Sequence, residues 1–383
     1  MKYVICVPDG CADEPCEALG GHTPLEVAHT PNLDALAARG EVGRAAVIPE
    51  GMPPGSDVGN MAILGYDPAE FHTGRAPIEA AALGLKLPAD RIAYRCNLVT
   101  VEDDTMVDFA AGHPSNEEAS AMIAALDAEL GRCAGAEIEF HPGVQYRHIL
   151  VAPAEWIDAE CTPPHDLTGQ PARRPTGPAA PKLQAVMDAS REVLARFDSA
   201  ATQVWLWGQG FQPAMESFEQ RYGITGGIVT AVDLVRGLGV LTDMALPRVE
   251  GATAWYDTNY EGKRDAAVAG LGDGADLFVI HVEATDEAGH AGNAEEKVRA
   301  LENWDRRIIA GLVEALDGMG QWRMLVAPDH ATPLERRTHT ADPVPYLLVG
   351  HGIDGLGGRY TEAGVAGAPM IAGHDMIRRL ISG

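Results

Sequence analysis

The sequence predicts an α/β fold, a sandwich of helices on a largely parallel sheet, with a smaller α+β domain inserted into it. Three observations predict this: short apolar runs that stop abruptly at acidic residues, helical segments that alternate with them, and a change of texture across the middle of the chain.

The apolar runs are YVICVPDG, DLFVIHVEATDEAGH and RMLVAPDH. Unbroken apolar character marks a strand covered on both faces, and in open α/β sheets functional groups gather just beyond the carboxyl ends of such strands. Asp9, Asp286 and Asp329 are therefore expected on one edge of the sheet. Between the runs, TPNLDALAARG opens on Thr-Pro and closes at Gly40, while AEEKVRALENWDRRIIAGLVEALDG reads as one long amphipathic helix. Around VEDDTMVDFAAGHPSNEEA the texture turns to acids and turn residues. A helix through AMIAALDAELG, a strand at YRHILVA and the Pro-rich loop CTPPHDLTGQPARRPTGPAAP follow. The predicted organisation is a core of residues 1–95 and 196–383 with 96–195 inserted.

Composition limits the function classes. A chain of 383 residues with 46% apolar and 22% charged residues has the makings of an ordinary folded protein with a substantial core. A formal net charge of −26 argues against nucleic acid or an anionic membrane as partner, because both require a basic face. It also means that any phosphate must be met by metal ions and arginines that invert the local potential. The start MKYVICVPDG is strand-like and lacks the features of a secretory signal, so a cytoplasmic location is expected. The six cysteines form no C-x-x-C pair and read as reduced thiols. Nothing in the pattern specifies an oligomeric state.

Local spacing points to metal chemistry. In TDEAGH, Asp286 and His290 are four residues apart and share a face if the segment turns helically. In PDH, Asp329 and His330 follow a strand, and His339 comes nine residues after His330 in a polar loop. Imidazole with carboxylate suits manganese, zinc, iron or magnesium-like ions rather than a metal that seeks thiolate. The nucleophile candidate is Ser56 in MPPGSDVGNMAILGY, where a Pro-Gly turn leads into a helix-like stretch. Serine there ordinarily caps the helix. The same helix start favours an incoming phosphate, and contact with a metal would lower the hydroxyl pKa. Asn60, one turn on, could orient a phosphoryl oxygen.

The ordered set PDG, GGHTPLEVAHTPNLDALAARG, PPGSDVGN, HTGRAPIEAA, DTNYEGK, HVEATDEAGH, APDHATP and RTHTADPVP resembles the cofactor-independent phosphoglycerate mutases of the archaeal type, within the alkaline phosphatase superfamily. The resemblance covers most of the chain. It implies an alkaline-phosphatase-like α/β/α sandwich and interconversion of 3-phosphoglycerate and 2-phosphoglycerate through a phosphorylated Ser56. It also implies two divalent metal ions, manganese first, with magnesium, zinc or cobalt as alternatives, and no bisphosphoglycerate cofactor. Asp9, Ser56, Asp329 and His330 would surround one ion and Asp286, His290 and His339 the other. Arg75 in HTGRAPIEA and Lys263 in NYEGKRD, one of only five lysines, are the implied substrate cations. From the insertion, His113, Arg147, His165 and Asp166 could bind the glycerate hydroxyls and carboxylate. The insertion itself would close over the site to exclude water.

Two rival readings follow from the same residues. A homoserine kinase-like phosphotransferase or a metal-dependent phosphatase would share the metal site and differ in the substrate pocket. A catalytically inactive metal-binding protein would be expected to have lost a ligand or the nucleophile, and all seven positions are filled.

Overall fold

The computed structural model describes all of residues 1–383. The chain divides into two compact units, Met1–His72 with Met215–Gly383, and Thr73–Ala214. The second unit is wider than the 96–195 expected. Residue 96 lies inside the strand Arg91–Glu102, which pairs with the strand Gln203–Gly210, so hydrogen bonding draws both flanks of the expected insertion into one sheet.

In the discontinuous unit a seven-stranded sheet runs in the order Gly226–Val229, Leu277–Val282, Lys2–Pro8, Trp322–Val326, Val344–Gly350, Glu41–Ala46, Met370–Ala372. The first four strands are mutually parallel, and Val344–Gly350 is antiparallel to both its neighbours. Alternate residues Val4, Cys6, Phe278, Ile280, Met324 and Val326 join one apolar cluster with the helices Tyr260–Gly272, Ala294–Trp304 and Ala310–Met319. The intervening Ile5, Val7, Val279 and Leu325 are also buried, as a sheet covered on both faces demands.

The long helix expected over 294–318 is interrupted by a π-helical turn, Asp305–Ile309. Its first residue carries a second duty. The Asp305 carboxylate accepts from the Leu33 N–H at 2.7 Å and from the Asn32 side chain at 2.8 Å. It thereby caps the helix Pro31–Ala37, whose own N-cap Thr30 makes no side-chain bond.

The second unit is built on antiparallel strands: Thr105–Asp108, Arg91–Glu102, Arg147–Pro153 and Glu139–Val144 in that order, with Gln203–Gly210 also on Arg91–Glu102. One face carries Tyr94, Cys96, Leu98 and Leu150 against the helices Asn116–Leu130 and Ala180–Leu194. The other carries Ala93, Ile149 and Val151 against Ala76 and Ala80 of the helix Arg75–Ala82. No helix of the protein is long and apolar enough to cross a membrane, and all six cysteines are free.

Candidate active site

Three strand ends of the discontinuous unit deliver the acids. Asp9 follows Lys2–Pro8 directly, Asp329 lies three residues beyond Trp322–Val326, and the helix Ala284–Ala291 after Leu277–Val282 brings Asp286 and His290 to one face. His290 Nε2 lies 3.3 Å from Asp286 Oδ2, and His339 Nε2 lies 3.5 Å from Asp286 Oδ1. His330 Nε2 lies 3.4 Å from Asp9 Oδ1. Asp9, Asp329 and His330 form one set of converging donors, and Asp286, His330 and His339 another, each with its donor atoms within 4.8 Å of one another. His330 therefore stands between the two.

Ser56 is the first residue of the helix Ser56–Ile63 and makes no cap bond. Its Oγ lies 3.2 Å from His330 Nε2. Thr332 Oγ1 gives its proton to Asp286 Oδ1 at 2.5 Å, so it is an acceptor toward His330 Nδ1 at 3.2 Å. That places the imidazole proton on Nδ1 and a lone pair on Nε2, facing the serine hydroxyl. The helix approaches Asp329 closely: a Cβ on Gly59 would fall 1.8 Å from the Asp329 carbonyl oxygen. At Gly10, with φ of +60°, a Cβ would fall 2.5 Å from Asp286 Oδ1. The glycines of PDG and SDVGN are thus the condition for bringing three segments together.

Electrostatics test whether the cluster fits a metal ion. Burial, and then the Asp329 and Asp286 carboxylates, push Asp9 well above the usual carboxylate range. Burial would raise Asp329 as well, but His330 and His281 hold it low. Burial lowers His330 to about 4, which leaves a neutral imidazole at neutral pH. Asp9 Oδ1 is buried with no hydrogen-bond partner. Crowded carboxylates, a neutral imidazole and an orphaned carboxylate oxygen fit a divalent cation, and oxygen-nitrogen donors suit manganese, zinc or magnesium better than a thiophilic ion.

In the second unit, residues distant in sequence gather on an aromatic cluster. The His113 and Tyr146 rings lie 5.4 Å apart, Tyr146 and Phe109 5.8 Å, Phe109 and His165 6.2 Å, and His165 and Trp207 5.5 Å, all edge to face. Arg147 lies 5.6 Å over Tyr146, and Arg75 and Arg95 lie 5.8 Å and 4.9 Å over Trp207. Asp166 Oδ1 is 3.6 Å from His165 Nε2. One carboxylate, Glu79, accepts from Arg75 at 2.9 Å and Arg95 at 2.7 Å. Against the upward push of burial, these two arginines hold Glu79 below its ordinary value. Glu79 thus pairs with two arginines, and Arg147 adds a third positive charge near it.

His148, beside Arg147, is buried; desolvation first, and then the charges of Arg95 and Arg147, lower it to about 3. An unfolded chain binds a proton there below about pH 6.5 and the folded unit does not, so its contribution is present above that pH and is lost as pH falls toward 3. The expected loss is about 2 kcal/mol by pH 5. Urea midpoints at pH 7.5 and 5, followed by tryptophan fluorescence, should differ more in the parent than in His148→Gln. Equal differences would refute the assignment.

Comparison with known proteins identifies the family. The family model described as 2,3-bisphosphoglycerate-independent phosphoglycerate mutase matches residues 37–198. A 2,3-bisphosphoglycerate-independent phosphoglycerate mutase of Methanothrix thermoacetophila is 44% identical over 399 residues, covering 100% of both chains. The chain belongs to this mutase family. Another mutase of that name, from Methanosarcina acetivorans, is 43% identical over 91% of this chain and 90% of its own. Among solved structures, the PH0037 protein of Pyrococcus horikoshii is similar at a TM-score of 0.80 and 28% identity, covering 100% of this chain and 96% of its own. A cofactor-independent phosphoglycerate mutase of Thermoplasma acidophilum shares the fold at a TM-score of 0.63 and 24% identity, covering 100% of this chain and 99% of its own.

For this mutase, an isomerase acting on a small phosphorylated acid, two of the expected substrate contacts are placed otherwise. Asn60 is buried, and its side chain donates to Asp329 Oδ2 at 2.6 Å and to the Ser56 carbonyl at 3.0 Å, so it orients an acid rather than a phosphoryl oxygen. Lys263 has no exposed surface; its ammonium donates to Glu283 at 2.5 Å and to the His281 carbonyl at 3.1 Å. The cation expected to meet substrate is consumed inside the protein. Sequence reasoning also passed over His281, Glu283 and Thr332 in the first unit, and Glu79, Arg95, Tyr146 and Trp207 in the second. His281 and Glu283 could have been noticed as two polar residues in the strand motif HVEATDEAGH.

Proposed function

We propose that the mutase moves the phosphoryl group of 3-phosphoglycerate to Ser56 Oγ and returns it to the 2-hydroxyl of the same glycerate. The observation that carries this is the Ser56 hydroxyl lying 3.2 Å from Nε2 of His330, the residue that both donor clusters share. Asp9, Asp329 and His330, with Ser56, are the assigned donors to one divalent ion, and Asp286, His290 and His339 to the other. Ions at these positions supply positive charge for the transferring phosphoryl oxygens and favour the deprotonated serine, with manganese the first candidate.

The chain's own residues account for the rest. Ser56 Oγ bonds to phosphorus as the bond from phosphorus to the 3-oxygen breaks, and the proton given up by Ser56 ends on that departing oxygen. In the return step the 2-hydroxyl of the retained glycerate attacks, the Oγ–phosphorus bond breaks, and the 2-hydroxyl proton returns to Ser56. Arg75, Arg147, His113 and His165 of the inserted unit are assigned the glycerate carboxylate and hydroxyls, with Asp166 orienting His165. Holding the glycerate while water is excluded is what separates a mutase from a phosphatase. A place in glycolysis or gluconeogenesis follows from this substrate pair, and a cytoplasmic location is proposed with it.

An enolase-coupled assay with 3-phosphoglycerate, run with and without manganese and beside homoserine plus ATP, tests this reading. Manganese-dependent turnover of 3-phosphoglycerate alone is expected. Release of inorganic phosphate in place of 2-phosphoglycerate, or ATP-dependent phosphorylation of homoserine, would overturn it.

A further inference from the structure

The strand Leu277–Val282 is apolar except for His281, a residue with no exposed surface and acids on both sides of its ring. On one side, Nδ1 lies 3.2 Å from Glu283 Oε1 and 3.3 Å from Thr230 Oγ1. On the other, Nε2 makes no hydrogen bond, lying 3.3 Å from Asp9 Oδ2 and 3.8 Å from Asp329 Oδ2. Glu283 is itself held by the Lys263 ammonium at 2.5 Å, the Thr230 hydroxyl at 3.1 Å and the Ala231 N–H at 3.0 Å.

Burying a lysine, a glutamate and a histidine in one row is costly unless each is matched by a partner. Here the matching is directional. Lys263 offsets Glu283, Glu283 holds one side of His281, and the other side is left for the Asp9 and Asp329 carboxylates. Asp9 is faced by His281 at Oδ2, while Oδ1, the oxygen without a hydrogen bond, faces His330. Asn60 and the Gly10 N–H engage the two oxygens of Asp329 from elsewhere.

We infer that Lys263, Glu283 and His281 form a positioning chain that fixes the Asp9 and Asp329 carboxylates from behind and so sets the affinity of the ion assigned to Asp9, Asp329 and His330. The inference rests on that metal assignment. Lys263 acts through the chain and does not touch substrate.

The test is manganese titration of the ion-stripped full-length enzyme, read by calorimetry and by the electron paramagnetic resonance of free manganese, with circular dichroism as the control for folding. His281→Leu should weaken one of two sites by about 10- to 100-fold and leave the other unmoved. Lys263→Met should weaken the same site, because Glu283 then lacks its counter-charge. The double variant Lys263→Met with Glu283→Gln should recover affinity to within a few-fold, since the amide oxygen keeps an acceptor for the imidazole without an unmatched charge. A merely structural role would give no such recovery. If His281→Leu does not fold, the single and double variants at Lys263 and Glu283 decide the question. Parent-like affinities in every folded variant would overturn the chain, and so would loss of one bound ion from the stoichiometry of His281→Leu, which would make His281 a ligand. Absence of manganese binding by the parent would overturn the metal assignment itself.

Discussion

Ser56→Ala is expected to lower kcat by a factor on the order of 10⁴ or more, the scale on which loss of a catalytic nucleophile acts. The fold should survive, because the serine oxygen makes no helix cap and alanine is a good residue at a first helical position. Ion content should survive as well, since Asp9, Asp329 and His330 remain to hold the site. The decisive measurement is the mass of the peptide containing Ser56 after exposure to 3-phosphoglycerate and manganese. The parent should carry one added phosphate and the variant none. Turnover by Ser56→Ala within tenfold of the parent would remove Ser56 from the reaction.

Removing divalent ions should stop turnover completely and also lower thermal stability. Asp9, Asp286 and Asp329 are all buried, and without a cation the first is driven toward its protonated form by burial and by the other two. An ion present at 100 times its dissociation constant adds about 2.7 kcal/mol to the folded state. In a structural unit of this size that is worth several degrees in Tm. Chelation followed by dialysis should shift the melting transition down by that amount, and manganese should restore both Tm and activity. Full activity after chelation, with no ion detectable by elemental analysis, would exclude the proposed chemistry.

Strands that end in acid were legible because a strand covered on both faces has no polar alternation to blur it, and Asp9 and Asp329 stand where that apolar character stops. The helix Pro31–Ala37 was legible from its Thr-Pro start, though its cap comes from Asp305, which no local pattern could reveal. The same limit governs the edges of the inserted unit. Gln203–Gly210 belongs with Arg91–Glu102 through hydrogen bonds between residues about a hundred positions apart, and composition has no access to such pairs. Lys263 misled for another reason: lysine is almost never fully buried unless paired, and its partner Glu283 lies twenty residues away. Arg75, His113, Arg147 and His165 carried no shared pattern of their own, yet all meet the Tyr146, Phe109 and Trp207 rings.

The sheet order sets a timetable for synthesis. Lys2–Pro8 is made long before its two neighbours in the sheet, Leu277–Val282 and Trp322–Val326. At ordinary elongation rates the first strand waits on the order of tens of seconds for a partner. During that interval Thr73–Ala214, which has its own sheet and apolar core, is complete and free to fold. A nascent chain stalled before Leu277 would therefore hold a finished Thr73–Ala214 unit and an unpaired, mostly apolar Lys2–Pro8. Chaperone capture of this protein should concentrate on Lys2–Pro8.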